Sequence, residues 1–207
     1  MTSSEAFWDR NAKRYSAKPV PNRSAYEAKL ELIIQLLRRT DRVLELGCGT
    51  GTTALHLSQH CESIVATDLS KEMIAIARRR LMDSRQQNIF FEQASSDERL
   101  EPNRFDVAMA FSLLHLVGSI PDTLNAIHGQ LRPGGLFISR TVCLDERSRF
   151  TRQAIRCLSK LPVVPPLKFL NHEKLQLYIK VAGFDVERIC FFGNQRFDPV
   201  IVARKID

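Results

Sequence analysis

Apolar positions along this chain alternate between two rhythms. Short, almost continuously apolar runs at 43–46, 63–68, 88–95, 107–111 and 136–139 read as strands, in the manner of strands buried on both faces. Between them lie stretches with helical spacing. Residues 26–39 place Leu30, Ile33, Ile34 and Leu37 on one side, and 52–60, 71–82 and 122–131 supply further helices. Pro133-Gly134-Gly135 marks a turn into the fifth strand. An amphipathic helix is expected over 147–158 and another over 171–182, with Asn171 at its start and Gly183 at its end. Residues 184–192 and 198–204 then read as two strands paired as a hairpin. Strand–helix alternation of this kind predicts an α/β protein: a doubly wound, Rossmann-like sheet with helices on both faces.

The first strand ends in Glu45-Leu46-Gly47-Cys48-Gly49-Thr50-Gly51 and runs straight into a helix. Alternate glycines let the backbone turn at positive φ and let a ligand lie directly against it. The first N–H groups of the helix that follows stay free for a polar or anionic group. Glu45, inside an apolar strand, sits where its carboxylate could reach a cationic or hydroxyl-bearing ligand. A dinucleotide fingerprint would need a third glycine at position 52, which is Thr52, and a P-loop would need a Lys-Ser/Thr pair. Neither pattern is present. The second strand ends in Asp68 about 20 residues beyond the loop, the place where nucleotide-binding α/β folds put a ribose-binding carboxylate. Read alone, Asp68 could equally cap the next helix, with Ser70 as a competing cap.

With the E-x-G-x-G-x-G loop, Asp68 and the later Leu131-Arg132-Pro133-Gly134-Gly135 turn in this order, residues 25–204 resemble class I S-adenosylmethionine-dependent methyltransferases. The N-terminal pattern and Ala182-Gly183-Phe184 resemble the broad group that includes methyltransferase domain type 11 and the quinone-biosynthesis methyltransferases, a group of many substrates. The resemblance implies a seven-stranded, mostly parallel sheet with an antiparallel last strand. It implies S-adenosyl-L-methionine as cofactor and S-adenosyl-L-homocysteine as product. Carried over residue by residue, it places Glu45, Gly47, Cys48, Gly49 and Gly51 around the cofactor, and Asp68 on the ribose hydroxyls. It puts Leu69 and Met73 near the adenosine, and Phe111 at the end of the fourth strand towards the sulfonium. At the third strand the chain departs from the family. Ala94 and Ser95 stand where an Asp usually accepts from the adenine amine, and the choice between Ser95 and Asp97 stays open.

Composition changes little. A chain of 207 residues with 44% hydrophobic and 26% charged side chains suits a single soluble domain over 1–207. No apolar run approaches the ~20 residues of a membrane span. The first residues lack the pattern of a signal peptide. Five scattered cysteines without metal spacing suggest reduced thiols and a cytoplasmic protein with no metal site.

The acceptor side is expected to be covered by an N-terminal lid segment, 1–24, and an insert, 146–170. Trp8, Tyr15, Tyr26, Arg149 and Phe169 are its candidate substrate residues. The insert contains the apolar, proline-rich run 161–170, which fits a small hydrophobic molecule or simple packing of the insert. His115, just after the fourth strand, is the candidate general base, against its reading as a structural histidine in a Leu-rich turn. The net charge of +7 invites a nucleic-acid substrate. Against that, Ala110-Phe111-Ser112-Leu113 stands where amine methylases of nucleic acids carry an Asn/Asp-Pro-Pro-aromatic tetrad. A cofactor-binding protein without methyl transfer is the remaining alternative.

Overall fold

The computed structural model describes residues 3–20, 22–100, 102–159, 164–165, 167–193 and 196–206. Its centre is a seven-stranded sheet: β1 (Arg42–Leu46), β2 (Ser63–Asp68), β3 (Ile89–Gln93), β4 (Phe105–Phe111), β5 (Leu131–Arg140), β6 (Phe184–Cys190) and β7 (Val200–Lys205), in the order β3-β2-β1-β4-β5-β7-β6. β7 runs antiparallel to both its neighbours, while the other pairings are parallel.

Alternation along the strands sorts side chains to the two faces. Leu44, Leu46, Ala108, Phe137 and Ile201 pack on one side against α5 (Ile120–Gln130) and α7 (His172–Val181). Val43, Ile64, Met109, Ile138 and Val202 pack on the other against α2 (Arg23–Leu36), α3 (Thr52–Leu57) and α4 (Lys71–Met82). Burying both faces is what demands the continuous apolar runs seen in the sequence.

Side-chain caps set the helix starts. Ser70 Oγ accepts from the Met73 N–H at 3.2 Å, Ser119 Oγ from Asp122 at 3.3 Å, and Asn171 Oδ1 from Lys174 at 2.8 Å. The helix expected over 26–39 is shifted towards the N-terminus, because Asn22 caps it by accepting from Ala25 at 3.3 Å and Leu37 is already extended. The helix expected over 52–60 is α3 followed by a 3₁₀ turn, Ser58–His60. The fifth strand begins at Leu131, so Pro133-Gly134-Gly135 lies within its span, where the pairing with β4 shifts register. Among the described residues there are two further α-helices, α1 (Ser3–Ser16) and α6 (Arg149–Leu158). The first forms in the segment expected only as a lid.

Candidate functional site

The C-terminal ends of β1, β2 and β4 meet beneath a chamber of about 660 Å³. Gly47, Gly49, Asp68, Leu69 and Met73 line one part of it, and Ala94, Ser95 and Phe111 another. Trp8 and Tyr15 of α1 also line it, as do His115, Leu113, Leu116 and Val117 after β4. A second chamber of about 400 Å³ adjoins it, sharing Tyr15, Gly47, Phe111 and Ser112. Glu45, Cys48 and Tyr26 face this second space.

Backbone conformation explains the loop. Gly47, Gly49 and Gly51 all have positive φ (+66°, +56° and +76°). A Cβ on Gly47 would stand 2.8 Å from Leu113 Cδ1, so the loop and the turn after β4 are packed as one unit. A Cβ on Gly49 would meet only Tyr15, at 3.7 Å, which leaves the chamber open at that point. Gly51 departs from the expectation. It lines neither chamber, and a Cβ there would lie 2.6 Å from Phe91 Cζ, so its missing side chain serves the close packing of α3 on β3 and α4.

Asp68 fixes this loop from the side. Its Oδ2 accepts from the Gly49 N–H and its Oδ1 from the Ser70 N–H, both at 2.9 Å. Each oxygen keeps a further lone pair for a ligand hydroxyl. Burial pushes its carboxyl above the usual carboxylate range, and the two backbone N–H groups oppose that shift. Arg80 braces the other side, with Nη1 donating to Thr50 Oγ1 at 2.8 Å and Thr52 Oγ1 at 3.0 Å, and Nη2 to Ser16 Oγ at 3.1 Å. α1 is held over α4 by Asp9, whose Oδ1 accepts from Ser70 Oγ at 2.6 Å and from the Glu72 N–H at 3.3 Å.

His115 is buried, and burial with the nearby Arg140 cation pushes its pKa down to about 4. It is therefore neutral at physiological pH, with no hydrogen-bond partner at Nδ1. Its carbonyl accepts from the Lys168 N–H at 2.8 Å, which pins the end of the insert beside the chamber. Ser112, next to Phe111, takes φ +55°, a conformation that a non-glycine side chain adopts at some cost in strain.

Two expected substrate residues are not brought to the site. Arg149 lies exposed in the first turn of α6, and Phe169 packs under the Arg156 guanidinium, 4.8 Å from its ring centroid. Neither lines a chamber. Part of the proline-rich run, 161–163 and 166, lies outside the described residues. The sequence reading missed Lys29, Arg140 and Asp198 of the second chamber. Lys29 was there to be found: it falls on the same helical face as Tyr26, Leu30 and Ile33, where a charge is out of place.

Residues 44–137 match a family model described as "Methyltransferase domain". Over that span the chain resembles the class I S-adenosylmethionine-dependent methyltransferases, and its seven-stranded fold is theirs. Among curated relatives, this chain is 34% identical to demethylmenaquinone methyltransferase of Symbiobacterium thermophilum over 121 residues, 56% of this chain and 46% of that protein. It is 30% identical to malonyl-[acyl-carrier protein] O-methyltransferase of Enterobacter lignolyticus over 139 residues, 67% and 52% of the two. The chain thus spans about half the length of these two relatives. In fold it is similar to an S-adenosylmethionine-dependent methyltransferase of Thermotoga maritima, with a TM-score of 0.74 at 21% identity over 99% of this chain and 100% of that one. S-adenosylmethionine is the cofactor of such domains, and the larger chamber fits it: Asp68 has oxygen lone pairs to spare, and Gly49 leaves open the space beside them.

Proposed function

We propose that this protein transfers the methyl group of S-adenosylmethionine to a small, largely apolar molecule. The observation that carries the reading is the apolar lining of the larger chamber. Trp8, Phe111, Leu113, Leu116, Val117 and Leu167 give the larger chamber an apolar side continuous with the cofactor residues. The cofactor supplies an electrophilic methyl carbon, so the protein's task is to hold an acceptor in line with it and keep water out. α1, latched by Asp9, and the insert, pinned at His115, are the parts that exclude water. A histidine with a pKa near 4 is a weak base but a ready hydrogen-bond acceptor, so His115 suits orientation of an acceptor N–H or O–H better than proton removal. Demethylmenaquinone, named in one relative, is a molecule of the apolar kind this lining suits.

A nucleic-acid acceptor is the weaker reading. Within Arg78-Arg79-Arg80, Arg78 donates to the Phe91 carbonyl and Arg80 to the glycine loop, so two of these three cations brace the fold. Among the described residues no helix is long and apolar enough to cross a membrane, and no cluster of His, Cys, Asp or Glu is placed to hold a metal.

The test is incubation with methyl-labelled S-adenosylmethionine and a deproteinised extract, separated into organic-soluble, aqueous and nucleic-acid fractions. Label in the organic-soluble fraction is expected. Label confined to nucleic acid overturns the proposal, and cofactor binding without label in any fraction favours a non-catalytic role.

A further inference from the structure

A surface helix ordinarily turns its apolar stripe to the core and its charges to water. α6 is mounted the other way round. Phe150, Ala154, Cys157 and Leu158 share one side through their i, i+4, i+7, i+8 spacing, and all four are exposed. Phe150 is 90% exposed and Leu158 50%, and the helix buries none of its residues. The arginines lie on the opposite side. Arg152 Nη1 and Arg156 Nη2 each stand 3.9 Å from Asp145 Oδ1, and the Arg156 guanidinium lies over the Phe169 ring. The charged side is therefore the one anchored to the body of the protein, and the apolar side faces out.

Charge narrows what can cover this face. α6 has Arg149, Arg152 and Arg156 and no acidic residue, and the single carboxylate of Asp145 serves two of them. Arg149 and Arg156 remain exposed, on stems long enough to carry their charge to the edge of the apolar side. A second copy of this chain would bring a like-charged helix to the contact, with a net charge of +7 on each molecule. Area also argues against a protein. α6 is about 15 Å long and about 10 Å across, far short of the ~800 Å² that each partner gives to a stable interface. An anionic lipid surface meets both conditions, since acyl chains need no matched shape and headgroup phosphates supply the opposite charge.

We propose that α6 docks this protein on an anionic membrane surface. Phe150, Ala154, Cys157 and Leu158 sit among the acyl chains just beneath the headgroups, and Arg149 and Arg156 reach lipid phosphates. The helix lies in the plane of the surface and does not cross it. The same insert reaches the larger chamber. The Asp145 N–H, just before α6, donates to the Leu170 carbonyl at 2.9 Å, and Pro165, Leu167 and Lys168 line the chamber. An apolar methyl acceptor dissolved in the bilayer then has its entry beside the docked helix. That last step rests on the methyl-transfer reading above; the docking itself does not.

Vesicle co-sedimentation of wild type and Phe150→Ser tests the docking, since this substitution keeps every charge. The probes are vesicles of phosphatidylcholine alone and of phosphatidylcholine mixed with phosphatidylglycerol. Wild type is expected to bind the mixed vesicles about tenfold or more tightly than the neutral ones, and Phe150→Ser to lose about tenfold of that affinity. Equal binding of mixed vesicles by the two proteins reveals only the diffuse attraction of a basic surface and overturns the proposal. Absence of binding overturns it too and leaves the face to an acidic protein. A wild-type dimer in sedimentation velocity without lipid, dissolved by Phe150→Ser, assigns the face to a second copy and likewise overturns the proposal. Should Phe150→Ser lower the denaturation midpoint, Leu158→Ser takes its place with the same expectations. Neither cofactor nor acceptor is present in these measurements, so failure of the methyl-transfer reading shows separately, in the labelling of the extract.

Discussion

Asp68 holds Gly49 by its backbone: the carboxylate at the end of β2 accepts the glycine N–H at 2.9 Å, joining the second strand to the loop after the first. One side chain thus shapes the cradle and faces its contents. Asp68→Ala is expected to lower S-adenosylhomocysteine affinity at least tenfold and to cost about 1–3 kcal/mol of stability through the bonds to Gly49 and Ser70. Calorimetry reads the first effect and urea denaturation the second. Loss of affinity with no loss of stability would show that the loop keeps its shape without Asp68.

Glycines at positive φ differ in what they tolerate. Gly51→Ala forces a side chain into positive φ and against Phe91, so a loss of about 2–4 kcal/mol is expected. Gly134→Ala, at φ +70° with nothing within 4 Å of the new methyl, carries the conformational cost alone, about 1 kcal/mol. Equal denaturation midpoints for the two variants would contradict the packing role of Gly51.

His115 makes stability depend on pH in a predictable direction. Its folded pKa of about 4 lies below the ordinary histidine value, so between pH 4 and 6.5 the unfolded chain binds more protons. Stability therefore falls as pH drops through that window, by about 3 kcal/mol from this group by the time it is fully protonated. His115→Gln should flatten this part of the curve. Denaturation curves from pH 7 to 4 for the two proteins check the difference, and parallel pH profiles would remove His115 as the cause.

Asp9 is the latch of α1. Asp9→Ala removes the acceptor for Ser70 Oγ and the Glu72 N–H and should raise hydrogen exchange across Ser3–Ser16. Protection of β1 and β4 is expected to stay as it is, because their core does not include α1. Unchanged exchange in α1 would show that Trp8 and Phe7 hold it without the carboxylate.

How much was legible in the sequence follows from how local each signal is. The bounds of β2 and α4 were readable because Ser70 caps the helix and Asp68 ends the strand within three residues of each other. The turn of the loop was legible in Gly47 and Gly49, which both take the positive φ that their spacing suggests. α1 was not legible, since Ser3–Ser16 is mostly polar and buries only Phe7 and Ala12; its docking depends on Ser70, 61 residues from Asp9. Gly51 was assigned to the cofactor from the motif alone, whereas its neighbour Phe91 is known only from the fold. A lysine in a helix ordinarily faces water, and the spacing of Lys29 with Tyr26, Leu30 and Ile33 is the sequence signal that this one is buried.

The support that Leu113 gives to Gly47 carries a consequence for synthesis. A nascent chain that has left the ribosome only as far as β3 already contains every glycine of the loop, and Asp68 as well. It still lacks β4, the partner of β1 in the centre of the sheet, and it lacks the leucine against which the loop is packed. The cradle therefore has no rigid floor until residues beyond 113 emerge. Cofactor binding is therefore expected to follow the docking of β4 rather than to template it.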